Sequence, residues 1–348
     1  MTTIAIAANR GDVGGGEVML VNLATALRDL GHEVSVVAPR QPDGVVRLAE
    51  SHALPVTIIE GSGRAAYARA LRRWHHTQAH DLLLWCNGLL PAAATALRAG
   101  RVVHLHQPPD GFVQRILGAL ARWRSVAVVV PSAHMRDRLG SGTTVLPNWT
   151  QGDLAPREPA DARDDTSPVR IGYLGRVGRA KGVDVLGEAC GLLEPALRDR
   201  VELVVVGDDR FMPASDREAV DRALAGSGVS VSRLGWQSRE TFFETTDLAV
   251  FPSVWQEPFG LVVAEAMEAR CPVVVSDAGA LPEVVGGSYP WCARSGDARS
   301  LADVITRAVA ALPATELTRS MRARWEEHFS PTAGRRRLAA LLDSWGTP

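Results

Sequence analysis

The sequence contains one lysine, Lys181, although Lys and Arg together number 38 among its 348 residues. A chain that otherwise carries its positive charge on arginine directs attention to that position. Cysteine is scarce as well: Cys86, Cys190, Cys271 and Cys292 lie far apart, with no Cys-x-x-Cys pair. The spacing argues against a disulfide framework or a zinc site and for a reducing, cytoplasmic setting. No apolar run reaches the roughly 18 residues of a membrane-spanning helix. The first ten residues have no basic segment ahead of their short apolar run, so no signal peptide is expected. Neither G-x-G-x-x-G nor a Walker A loop occurs, which disfavours a nicotinamide-dependent oxidoreductase.

The length suggests two domains, and 46% apolar with 22% charged residues is ordinary for a globular protein. The net charge of −1 hides an asymmetry. Residues 1–150 hold 15 Arg and 10 acids, whereas residues 151–348 hold 23 basic residues and 29 acids. A balanced total gives no nucleic-acid footprint, and none is expected as a partner.

Residues 1–150 alternate strand-like and helix-like segments. The apolar run Ile4–Ala8 and the strand candidates Val34–Ala38, Val56–Ile59, Leu82–Trp85, Val102–Leu105 and Val126–Val130 are separated by helical patterns. Residues 151–168 are polar and carry several prolines, which reads as a linker. The alternation restarts at Val169 and continues to about residue 330, and a last helix is expected over Pro331–Trp345. Two such α/β halves, each with a parallel sheet, would face each other across a cleft where strand carboxyl ends bind ligands.

Three segments carry chemistry. Gly14-Gly15-Gly16-Glu17 sits between a strand and a helix, where glycines let backbone N–H groups approach an anion. A flexible connector is the alternative. Leu174-Gly-Arg-Val-Gly-Arg-Ala-Lys-Gly182 places Arg176 and Lys181 after the first strand of the second half, two cations suited to a diphosphate. A solvated basic loop is the bland reading. Glu257-Pro-Phe-Gly-Leu-Val-Val-Ala-Glu265 puts Pro258 in a first helical turn, Glu257 just before it and Glu265 about two turns inside. The Phe259-Gly260-Leu261 N–H groups would then point from the helix start toward an anion. A capping Glu257 and an exposed Glu265 are the competing assignments.

In this order the motifs resemble the retaining glycosyltransferases of family 4, with the GT-B fold, over essentially the whole chain. The family's Gly-Gly-x-Glu loop is matched by Gly15-Gly16 followed directly by Glu17, a displacement of one residue. Its Gly-Arg…Lys-Gly turn is matched by Gly175-Arg176…Lys181-Gly182, and its Glu-x7-Glu motif by Glu257 and Glu265. The resemblance implies two Rossmann-like domains, residues 1–150 for the acceptor and 169–330 for the donor, with residues 331–348 crossing back to the first. It implies a hexose-type transfer from a nucleotide-diphosphate sugar, UDP or GDP most of all, to an acceptor hydroxyl with retained configuration. Arg176 and Lys181 would hold the diphosphate, Glu257 the transferred sugar and Glu265 the ribose. Phe259, Gly260 and Leu261 would meet the distal phosphate or sugar, Gly235, Trp236 and Gln237 the nucleobase, and Gly15 and Gly16 the donor. His106 looks like the family's histidine near the reacting centre, with His104 two residues earlier as its competitor. A non-catalytic nucleotide-sugar-binding protein of the same fold is the alternative.

Asp-x-Asp, the metal-binding signature of the other large glycosyltransferase fold, is absent. No cofactor and no metal are therefore expected. The acceptor is left open among small molecules, glycans and lipid-linked species. Residues 64–76 are basic with two aromatics. They could touch the inner face of a membrane, or form a solvated helix with Leu71 and Trp74 packed inward.

Overall fold

The structure is a computed structural model that describes residues 2–157, 168–209 and 212–345. The chain forms two compact units, Met1–Gln151 with His328–Pro348, and Gly152–Glu327.

The first unit is built on strands β1 (Thr3–Ala8), β2 (Glu33–Pro39), β3 (Val56–Ile59), β4 (Leu83–Asn87), β5 (Arg101–His104), β6 (Ser125–Val130) and β7 (Thr144–Val145). Helices α1 (Gly15–Asp29), α2 (Gly44–Ser51), α3 (Arg64–Thr77), α4 (Leu89–Ala94), α5 (Phe112–Arg122) and α6 (Ala133–Leu139) alternate with them. All seven strands are parallel, in the order β3-β2-β1-β4-β5-β6-β7. The sequence shows why both faces must be covered. Along β1, Ile4 and Ile6 pack into one core with Leu20, Leu23 and Leu27 of α1. Ala5 and Ala7 pack into another with Tyr67 and Leu71 of α3. A strand buried on both sides is a continuous apolar run, which is the parallel-sheet signature. Helix α1 ends where Gly31 takes φ +86° and the His32 N–H bonds Leu27 O at 3.2 Å. That left-handed stop needs glycine.

The second unit holds β8 (Val169–Leu174), β9 (Val201–Val206), β10 (Ser230–Gly235), β11 (Leu248–Phe251), β12 (Val273–Ser276) and β13 (Cys292–Ala293). Its helices are α7 (Val183–Gly191), α8 (Pro195–Arg198), α9 (Ala214–Ala225), α10 (Arg239–Thr245), α11 (Leu261–Glu268), α12 (Leu281–Val285), α13 (Ala298–Ala310) and α14 (Thr315–His328). The parallel order is β10-β9-β8-β11-β12-β13. The last helix, α15 (Pro331–Ser344), belongs to the first unit. Its Leu338 and Leu342 enter the core that α1 lines, and Gly334 passes so close to Trp149 that a Cβ would lie 2.2 Å from the indole.

Several expectations need adjusting. Of the expected linker 151–168, residues 158–167 lie outside the described residues. Its first part is not free chain: Leu154 is buried, its N–H bonds Glu268 Oε1 at 2.7 Å, and the Arg157 N–H bonds Ala269 O at 3.0 Å. Helix α2 buries Val45, Val46 and Ala49, with Leu48 half-buried against the same core, too short an apolar pattern to read beforehand. Helix α11 starts at Leu261 because Gly260 stands before it in the left-handed region at φ +99°. Pro258 therefore precedes the helix, and Glu265 lies about one turn inside it rather than two.

Candidate active site

Each sheet reverses its strand order once, between β1 and β4 in the first unit and between β8 and β11 in the second. Loops leaving neighbouring strands diverge at such a point and open a crevice at the carboxyl ends. Within each unit, the residues singled out in the sequence lie at or just beyond these strand ends. Gly15 and Gly16 follow β1, and His106 follows β5. Arg176 and Lys181 follow β8, Gly235–Gln237 close β10, and Glu257–Leu261 follow β11.

In the second unit the β8 and β11 loops meet directly. Lys181 Nζ lies 2.5 Å from Glu257 Oε1, and Ser253 Oγ donates to the same oxygen at 2.6 Å. Ser253 is held in turn, its carbonyl accepting from Ser276 Oγ at 2.6 Å and Ser295 Oγ at 3.1 Å. The Lys181 ammonium also stands 5.5 Å from the centre of the Trp255 ring. Glu257 is buried, and a buried carboxylate needs such hydrogen-bonding partners. Two glycines make the approach possible. Gly182 sits at φ +71°, and a Cβ there would fall 1.9 Å from Pro252 O. Gly279 sits at φ +65°, and its Cβ would fall 2.4 Å from Glu257 N and O.

Arg176 is exposed and makes no ion pair among the described residues, whereas Arg179 is drawn to Asp184 at 2.9 Å. The loops after β8, β9 and β10 stack on glycine. The Gly207 N–H bonds Gly235 O at 2.7 Å, and a Cβ on Gly207 would fall 1.7 Å from Gly175 O. Trp236, next in the chain, is 80% exposed, and Gln237 folds back on Leu234 O at 3.4 Å. Phe259 is buried, and of the Phe259–Leu261 N–H groups only that of Leu261 belongs to the helix start.

Glu265 is buried in α11 and accepts from Arg239 Nη1 at 3.0 Å. Arg239 also reaches Asp153 Oδ2 at 3.0 Å and stands 3.9 Å from Glu240 Oε1, so one guanidinium faces three carboxylates. Burial pushes the Glu265 carboxyl up to about 7, against the pull of Arg239. Arg239 was not visible as a site residue; its only sequence signal is its place after Ser238, which caps α10.

In the first unit, α1 begins at the glycine loop with Gly14 as its extended N-cap. Counted from that cap, Gly14-Gly15-Gly16-Glu17 fits Gly-Gly-x-Glu with Gly16 as the intervening residue, so the displacement of one residue is withdrawn. Glu17 is buried 3.7 Å from Arg10, and burial lifts it to about 7. Gly16 lies against His106, where a Cβ would stand 3.2 Å from the ring. Asn87, which ends β4, joins the two: its amide donates to Gly16 O at 2.9 Å, and its Oδ1 faces His106 Nε2 at 2.7 Å. That polarity puts the proton on Nε2. Burial holds His106 at about 4, so the ring is neutral at pH 7. His104 is fully buried beside it, ring centroids 4.1 Å apart, with Trp85 Nε1 donating to its Nδ1 at 3.4 Å. Among the described residues no group of three or more His, Cys, Asp or Glu is placed to hold a metal ion.

The two-sheet architecture is that of the GT-B glycosyltransferases. HepE of Anabaena, solved in complex with UDP-glucose, superposes with a TM-score of 0.82 over 99% of this chain and 100% of its own, at 22% identity. Family profiles agree domain by domain: "Glycosyltransferase Family 4" matches residues 13–149 and "Glycosyl transferases group 1" matches residues 168–311. The phosphatidyl-myo-inositol mannosyltransferase of Mycobacterium leprae is 27% identical over 84% of this chain and 83% of its own length. The GDP-mannose-dependent alpha-mannosyltransferase of Mycobacterium tuberculosis is 28% identical over 77% and 76%. The chain belongs to the family 4 glycosyltransferases of GT-B fold.

Proposed function

We propose that the protein moves a hexose-type sugar from a nucleotide-diphosphate sugar to an acceptor hydroxyl, with retention of anomeric configuration. The observation that carries this reading is the Lys181–Glu257–Ser253 cluster at the β8/β11 switch point, with Arg176 free for an anion nearby. Lys181 and Arg176 serve the diphosphate, one as a compact ammonium and one as a fork. As negative charge builds on the leaving phosphate, these cations and the Leu261 N–H stabilise it without a metal ion. Glu257, shared with Lys181, holds hydroxyls of the transferred sugar. Glu265 accepts from the ribose, and the exposed Trp236 with Gly235 and Gln237 flanks the base. Gly15 and Gly16 give the donor a close backbone approach.

The bond from the anomeric carbon to the phosphate oxygen breaks, and a bond to the acceptor oxygen forms on the same face. The acceptor proton passes to the departing phosphate. His106, neutral at pH 7, orients a hydroxyl near this exchange; a group held at about 4 is a weak base. The relatives' names point to GDP-mannose and UDP-glucose as the donors to try first. A thermal-shift panel of UDP-, GDP-, ADP- and dTDP-sugars tests the reading. A donor at 100 times its Kd should add about 2.7 kcal/mol. A chain that no nucleotide sugar stabilises, or a transfer product with inverted configuration, would refute it.

A further inference from the structure

The two oxygens of a carboxylate are alike until a neighbour tells them apart, because the last torsion of a glutamate is roughly two-fold. At Glu257 both donors fall on one of them. Lys181 Nζ at 2.5 Å and Ser253 Oγ at 2.6 Å reach Oε1, and Oε2 has no partner among the described residues. The two donors are not equivalent. An ammonium has three protons and can divide them between Glu257 and a phosphate, whereas a serine hydroxyl has one to give. Ser253 is uncharged and 4% exposed, and among the described residues its hydroxyl bonds Glu257 alone.

That hydroxyl has no part in holding the surrounding loop. The Val254 and Trp255 N–H groups both bond Ala180 O, at 3.1 and 2.8 Å, which sets the loop after β11 beside Lys181. Glu257 O accepts from the Ala280 N–H at 2.8 Å, and Gln256 Oε1 from the Gly279 N–H at 3.1 Å. Ser253 is fixed through its carbonyl, which takes Ser276 Oγ from the end of β12 and Ser295 Oγ from beyond β13. All of these bonds survive removal of the Ser253 side chain. Serines from three neighbouring strand ends thus form a support that runs from β13 to a single oxygen of Glu257.

We propose that Ser253 is a positioning residue of the transfer reaction: it pins Glu257 Oε1 beside Lys181 and leaves Oε2 as the oxygen that accepts hydroxyls of the transferred sugar. This rests on the role given to Glu257 above. Ser253 touches no substrate itself and acts through the carboxylate.

Ser253→Ala should lower turnover by roughly 10–100-fold, the range for a hydrogen bond to a charged group. Free nucleoside diphosphate should still bind within about threefold of wild type, as that ligand has no sugar to hold. Ser253→Cys, a weaker donor of similar size, should recover part of the turnover. A double-mutant cycle separates positioning from a structural role. In a Glu257→Ala background there is no carboxylate to place, so Ser253→Ala should cost nothing further. The same cycle read by amine labelling of Lys181, the only lysine, needs no substrate. Ser253→Ala should speed labelling where Glu257 is present and leave it unchanged where Glu257 is absent. Wild-type turnover in Ser253→Ala, equal losses in both backgrounds, or labelling indifferent to Ser253 overturns the proposal. If no nucleotide sugar stabilises the protein, the functional reading falls by itself, and the labelling cycle still decides whether Ser253 places Glu257. If Ser253→Ala melts early, Ser253→Cys carries the same cycle.

Discussion

Lys181 and Glu257, 76 residues apart in sequence, share a hydrogen bond of 2.5 Å at the point where the second sheet reverses its strand order. Each is the other's counter-charge, with Ser253 as the only further hydroxyl on the Glu257 oxygen among the described residues. A diphosphate arriving beside Lys181 would redirect its remaining donors without breaking the pair, because an ammonium has three.

Glu257→Gln keeps the shape and removes the charge. Turnover should fall by roughly 10²–10³-fold, the range for loss of one preorganised polar contact. Free nucleoside diphosphate should bind within about threefold of wild type, since that ligand lacks the sugar. Calorimetry beside a turnover assay separates the two. Wild-type turnover in the variant would take Glu257 out of the site.

Lys181→Ala should weaken nucleotide-sugar binding by roughly 10–150-fold, the worth of a charge-assisted hydrogen bond. Lys181→Arg should recover part of this, since a planar fork does not replace a point contact. As the chain has no other lysine, an amine-reactive reagent reaches only this side chain and the N-terminus. Saturating nucleotide should slow labelling of Lys181, followed by mass spectrometry. Identical rates with and without ligand, together with an unimpaired Lys181→Ala, would move the diphosphate elsewhere.

The carboxyl of Glu265, raised to about 7, should make donor binding depend on pH. Ribose hydroxyls are best accepted by the ionised form, so affinity should rise with pH and level off above the pKa. Between pH 8 and pH 6 the loss is about tenfold for a group titrating near 7. Using the nucleotide sugar rather than the free diphosphate avoids a phosphate that titrates in the same range. Glu265→Gln should bind weakly and without this slope. Arg239→Leu should shift the slope to higher pH by removing the cation that favours the carboxylate.

Glu17 offers a pH test of stability in the first unit. Its folded pKa, about 7, lies above the ordinary 4.5. Between those values the folded chain keeps a proton that the unfolded chain has released. Glu17 therefore costs stability progressively as pH rises through that window, reaching about 3 kcal/mol above it. Glu17→Gln should be more stable than wild type in urea at pH 8, with the advantage gone near pH 4.5. An advantage that is constant with pH would show that Glu17 ionises freely.

The sheets were legible because strand segments such as Ile4–Ala8 and Val273–Val275 are apolar without interruption, as strands covered on both faces must be. The shortest elements, such as β7, were not, since two residues carry no periodicity. Within the candidate site the loop residues stood out through glycine and charge, and Lys181 through its rarity. Their partners did not. Arg239 reaches Glu265 from 26 residues away, and Asn87 reaches Gly16 across 71, in each case through the sheet rather than along the chain. Only packing shows that Phe112, Val113, Ile116 and Leu120 face outward, because their spacing equally suits a buried face.

Gly334 against Trp149 has a consequence for the order in which the molecule can be assembled. The second unit is a continuous stretch lying within the span of the first, whose core closes only when Leu338 and Leu342 arrive. During synthesis the second unit has all its residues while the first still lacks the helix that covers Trp149. The earlier-made unit is thus the last to be completed. A side chain at position 334 would strike at that final docking step and leave the six-stranded sheet intact.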